Sequence, residues 1–163
     1  QGSVMIILGD PSKTTDFPDS RNVCLTTNLE LTRYLIDDFI KRFPSFRDQP
    51  GLATMTWLEA ESHSSDGDMA TSWTETMSAT GCTAQMCWND LGHPFAVEVG
   101  PKDSATGTHD MYSVFLEARS ASISINGAPL AGSVCERLFF GRKMSTAFMA
   151  VSETWVKPTL TEE

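Results

Sequence analysis

Residues 61–72, reading ESHSSDGDMATS, place one histidine, four serines, two aspartates and one glutamate in twelve positions. Serine beside histidine is the material of nucleophilic acyl transfer, and closely spaced Asp and Ser oxygens are the material of a calcium loop. Neither chemistry fits the spacing. A nucleophilic serine needs a base on its own side and an oxyanion hole, whereas neighbours in an extended segment point to opposite faces. A calcium loop needs alternating oxygen ligands and a distal bidentate glutamate. Asp66-Gly67-Asp68 supplies two carboxylates with no glutamate at that distance.

The other histidines offer less. His93, in Gly92-His93-Pro94, is a loop residue, and His109, in Thr108-His109-Asp110, precedes a strand. Asp110 cannot orient His109 from the adjacent position unless the backbone turns. Cys82, Cys87 and His93 make three zinc ligands at irregular spacing, where a structural site uses four. No phosphate loop, dinucleotide fingerprint or metal-binding helix motif occurs. The expectation is no catalytic residue, no metal and no cofactor.

Charge carries more information. The formal net charge is −9, which argues against nucleic acid, since phosphate binding draws on clustered Lys and Arg. Residues 48–101 contain no lysine or arginine, yet carry Asp48, Glu59, Glu61, Asp66, Asp68, Glu75, Asp90 and Glu98. Ordinary soluble surfaces mix signs, and a patch of one sign steers partners of the other.

The elements that position these residues read as follows. Val4 to Leu8 is a strand candidate closed by Gly9-Asp10-Pro11, with a polar loop through residues 12–22. Thr27-Asn28-Leu29-Glu30 fits a capping box. From it Leu29, Leu31, Leu35, Ile36, Phe39, Ile40 and Phe43 line about half of a helical wheel, and Pro44 ends the helix. Short β-type segments follow at 52–61, 69–79, 83–88, 95–99, 111–118, 121–125, 128–134, 136–140 and 145–156. Asn126-Gly127 supplies the two positive-φ positions of a type I′ hairpin, and Pro129 makes its return strand an edge. Ser65-Asp66-Gly67 reads as the tip of a hairpin joining 52–61 to 69–79. That register sets Glu59 opposite Trp73 and Trp57 opposite Glu75, with Thr74, Thr76 and Ser78 on a wetter face.

The expected fold class is α+β: one N-terminal amphipathic helix packed on a mostly antiparallel, strongly twisted sheet. Residues 1–3 read as a tag remnant, 4–157 as a single domain and 158–163 as a loose tail. That start favours a cytoplasmic protein; a periplasmic or secreted setting would follow if a signal peptide had been removed. The longest apolar run, Val4-Met5-Ile6-Ile7-Leu8, is far short of the roughly 20 residues of a membrane helix. The four cysteines read as reduced thiols, with Cys87 and Cys135 as small buried hydrophobes.

Composition and charge point to a non-enzymatic acidic binding protein, of the inhibitor or immunity type, that neutralises a basic partner such as a toxin nuclease. Glu59, Glu61, Asp66, Asp68 and Glu75 are the expected contact residues, with Trp73 or Trp57 as an aromatic anchor. Two other classes compete with this reading. One is a small-molecule carrier or sensor with a Met- and Trp-lined pocket, and the other is a small enzyme using His93 or His109 with a carboxylate. Partner identity and oligomeric state are not encoded in any readable motif.

Overall fold

The computed structural model of the chain describes residues 1–9 and 22–156. The loop expected through 12–22 (Asn22 apart), the Asp10-Pro11 turn and the C-terminal tail lie outside them. Strands make up 55% of the described residues and helices 12%. The α+β expectation is thereby corrected: the molecule is mostly β, and its one substantial helix serves a small sheet instead of forming a layer across the whole.

That small sheet holds β1 (Val4–Leu8), β2 (Asn22–Thr26) and β3 (Thr56–Glu59), in the order β1-β2-β3. β1 and β2 are antiparallel, but β2 and β3 are parallel. A parallel pair needs a crossover, and α1 (Leu29–Asp38), extended by a 3-10 turn at Ile40–Arg42, provides it. β2 is a strand the sequence reading does not contain: its first residue, Asn22, closes the expected loop, and residues 23–26 carry no assignment. Nearly all of it is buried, so NVCLT has the continuous apolar character of a strand covered on both sides and lacks the alternation that marks half-exposed strands. The helix is capped one residue later than the capping box implied. Asn28 Oδ1 accepts from Leu31 N at 3.0 Å, because the Thr27 hydroxyl is taken by the N–H of Ser3 at 2.8 Å. Ile36 packs with Cys24, Leu52 and Met55 on one face of the small sheet.

The larger sheet runs β12-β8-β6-β5-β4, with β7 and β9 also paired to β8. Its strands are β4 (Ser62–Gly67), β5 (Ser72–Ala79), β6 (Cys82–Leu91), β7 (Phe95–Val99), β8 (His109–Ile125), β9 (Ala128–Pro129) and β12 (Phe148–Val156). The two strands expected at 111–118 and 121–125 are a single 17-residue strand, β8. Its first half is flanked by β7 and β12, its second by β6 and β9. The type I′ hairpin is present, with φ of 50° at Asn126 and 79° at Gly127, and Pro129 lies on an edge strand. A separate hairpin of β10 (Glu136–Phe139) and β11 (Arg142–Ser145) brings Phe139 edge-on to Phe115 of β8, with centroids 5.0 Å apart.

The two sheets pack face to face. Met5, Ile7, Val23 and Leu25 of the small sheet meet Met77, Ala79, Ala84 and Ile125 of the large one, and all eight are buried.

Candidate binding site

The hairpin at the centre of the acidic stretch differs from its sequence reading. Residues 51–54 form a short helix, α2 (Gly51–Thr54), and β3 joins β2, so the expected 52–61/69–79 hairpin does not exist. β5 pairs instead with β4, the polar segment taken for a hairpin tip, in the register His63↔Met77, Ser65↔Glu75 and Gly67↔Trp73. The turn falls at Asp68–Thr71. There Asp68 Oδ1 accepts from Thr71 N at 2.7 Å and Ala70 N at 2.8 Å, the side-chain-to-backbone pattern of an Asx turn. The backbone N–H groups of Thr71 and Ala70, then the Thr71 hydroxyl, hold the Asp68 carboxyl well below the usual carboxylate range. Asp68 therefore shapes the loop.

The two faces of β5 were separated correctly, although its partner strand was not. Thr74, Thr76 and Ser78 face away from the small sheet, while Trp73, Glu75, Met77 and Ala79 face towards it. Alternation places His63 and Ser65 of β4 on that inner face too. His63 Nε2 lies 2.6 Å from Glu75 Oε2, Ser65 Oγ donates to the same oxygen at 2.7 Å, and Trp73 Nε1 donates to Oε1 at 2.7 Å. Burial works against the charged form of Glu75, but the hydrogen bonds from Trp73, Ser65 and His63 outweigh it and lower its pKa. An ionised carboxylate only accepts, so His63 Nε2 carries the proton. In the neutral ring His63 Nδ1 then accepts from Ser3 Oγ, 3.0 Å away, and in the imidazolium it donates to it.

Hydroxyl, imidazole and carboxylate thus follow one another in the order used by proton-relay nucleophiles. However, the N–H of Ser3 is bonded to Thr27 Oγ1 and supplies no oxyanion donor. The chain's definite effect is to orient the His63 ring and anchor Glu75. Sequence reading set His63 aside because its immediate neighbours point away from it. The signal lay two strands deep, in the diagonal between His63 and Glu75 that the β4–β5 register creates.

Beside this cluster the inner face is only partly covered. Met77, Ala79, Ala84 and Ile125 are buried under the small sheet, whereas Trp73, Glu75, Met86 and Trp88 are half-buried. The uncovered part forms an open groove of roughly 430 Å³. Its walls are Met77, Met86, Trp88, His63 and Glu75 from the large sheet and Ser3 to Ile6 from β1.

The remaining acidic residues are spread around this edge. Glu59, Glu61 and Asp66 are exposed, and Glu61 accepts from Thr80 Oγ1 at 2.6 Å. Among the described residues no Lys or Arg pairs with any of the three, although Asp37, Asp90 and Glu136 each have a basic partner. Trp57 is half-buried under the Arg33 guanidinium, 5.5 Å from its ring centre.

The two histidines offered for catalysis lie elsewhere. His93 is exposed in the β6–β7 loop. His109 Nδ1 contacts Thr106 Oγ1 at 2.8 Å and Thr108 Oγ1 at 3.0 Å, and its ring meets Phe39 edge-on. Cys82 and Cys87 point to opposite faces of β6, which removes the zinc set with His93. Among the described residues no group of three or more His, Cys, Asp or Glu could hold a metal. Cys87 and Cys135 are not buried as expected: Cys87 is half-buried and Cys135 exposed. The buried thiol is Cys24, whose pKa burial pushes up to about 11. No helix of the described residues is long and apolar enough to cross a membrane. No protein-family model, curated protein or solved structure matches the chain.

Proposed function

We propose that the protein is a non-enzymatic binding protein whose acidic edge, around β4 and the end of β3, engages a basic protein partner. One observation carries this reading. Glu59, Glu61 and Asp66 stand exposed with no Lys or Arg partner among the described residues, where Asp37, Asp90 and Glu136 each have one. Unneutralised charge of one sign raises the association rate of an oppositely charged partner and rejects like-charged ones. Inhibitor and immunity proteins of basic enzymes need this property and no catalytic residue.

The test is a titration with octalysine at several salt concentrations, comparing the wild type with the E59Q/E61Q/D66N triple variant. Binding should weaken as salt rises, and the triple variant should lose about tenfold in affinity. Equal binding by the triple variant, or none by the wild type at low salt, would overturn the proposal.

The Met- and Trp-lined groove favours a second reading, a carrier or sensor of small apolar molecules. Its size falls within the roughly 300–1,000 Å³ of ligand sites, and Met side chains adapt to varied shapes.

A further inference from the structure

The inner face of the large sheet is wider than the small sheet that covers it. Along β5 and β6 the burial falls from Ala79 and Ala84 towards Trp73 and Trp88. The strand bordering the bare part is β1, whose only ladder partner among the described residues is β2.

The direction of the β1 backbone follows from one bond. Thr27 N donates to Ser3 O at 3.0 Å, which makes Ser3 and Thr27 a hydrogen-bonded pair. Bonded and non-bonded pairs alternate in an antiparallel ladder. Met5 therefore also points its backbone towards β2, whereas the N–H and C=O of Val4 and Ile6 point outward. Among the described residues nothing bonds to that outer edge. Two donor–acceptor pairs two residues apart, roughly 7 Å, repeat at the spacing of a strand. Backbone donors and acceptors facing an apolar floor suit an extended peptide better than a compact molecule.

From this geometry we infer that the groove beside β1 receives an extended peptide segment of the partner as a fourth strand of the small sheet. The inference rests on the basic-partner reading and adds where and how that partner binds. Alternate side chains of the added strand would lie on Met86 and Trp88, and these must be apolar. The side chains between them face away from the groove floor, where lysine or arginine is favoured. Charge complementarity supports this occupant: no Lys or Arg lines the groove, Glu75 is held ionised in its wall by Trp73, Ser65 and His63, and the exposed Glu61 lies in the link between β3 and β4. The other long free edges lack such a floor. Every residue of β4 is exposed, and β12 is exposed from Ala150 to Val156. Strand addition to a sheet edge draws affinity from main-chain bonds and specificity from alternate side chains.

The probe is the capped octapeptide Lys-Val-Lys-Val-Lys-Val-Lys-Val, with two isomers N-methylated at either the lysines or the valines. Amide exchange of the full chain is followed on adding each. The unmodified peptide should bind and slow exchange at Val4 and Ile6 at least tenfold. One N-methyl isomer, the one whose methyl groups face β1, should lose at least tenfold in affinity while the other binds normally. Val4→Pro, which removes an outward donor where an edge strand tolerates proline, should reproduce that loss without affecting octalysine binding. Salt-sensitive binding of the octapeptide with no protection at Val4 or Ile6, or equal binding by both isomers, would overturn strand addition and leave the basic-partner reading standing. Failure of both octalysine and the octapeptide to bind at low salt would overturn both.

Discussion

Asp68 shows how a residue picked for one role can hold another. It was selected as a contact carboxylate because it lies in an acidic run, yet its oxygens are aimed at its own turn. Hydrogen bonds that favour the ionised form depress its folded pKa. The sign follows from linkage. A depressed carboxyl stabilises the fold above its unfolded value of about 3.9, and that contribution disappears as pH falls through the folded value. A carboxyl-shift titration should therefore find Asp68 still charged well below pH 3.9. Asp68→Asn should destabilise the protein at neutral pH, with the difference from wild type vanishing at the acid limit. A titration of Asp68 at the ordinary value would remove this account. Residue identity alone could not separate Asp68 from Asp66, since both are exposed carboxylates on either side of Gly67. Only the turn tells them apart. The same holds for His63, whose partner is fixed by which strand lies beside it.

Elements with a strong local signal were legible, and those defined by their neighbours were not. The Asn126-Gly127 hairpin, the helix from Leu29 and the alternation of Trp73, Glu75 and Met77 were all readable, because each obeys a period or a turn rule within a few residues. β2 hid because burial on both sides erases alternation, and β4 hid because SHSSDG has no β-branched or aromatic residue and exists by pairing with β5. Gly67, expected at a hairpin tip, ends β4 opposite Trp73 with φ of +129°, and a Cβ there would run into the Ser72 carbonyl oxygen and sit 3.0 Å from Trp73 Cα. Gly67→Ala should cost more than about 1 kcal/mol in denaturant unfolding, because strain and contact add. Exchange protection should be lost first along β4, carrying the His63–Glu75 bond with it. A variant as stable as wild type would show that this register is not set at Gly67.

At the scale of the molecule, composition identified a lopsided charge distribution but not where it falls. The acidic segment, residues 48–101, supplies β3 of the small sheet and β4 to β7 of the large one, so residues contiguous in sequence are divided between the two sheets. The fold class differs from expectation because one helix has a strong local period, whereas the ten strand candidates are each short and weakly marked. β8 has a further consequence. Its two halves serve different neighbours, and the chain runs unbroken between them through the buried Ala118 and the exposed Arg119 and Ser120. A single backbone thus acts as a beam that spans both ends of the large sheet. Heat, denaturant or a pulling force should meet one transition instead of two, with probes at Trp88 and Trp155 reporting the same midpoint. Separate midpoints would mean that the beam yields near Ala118.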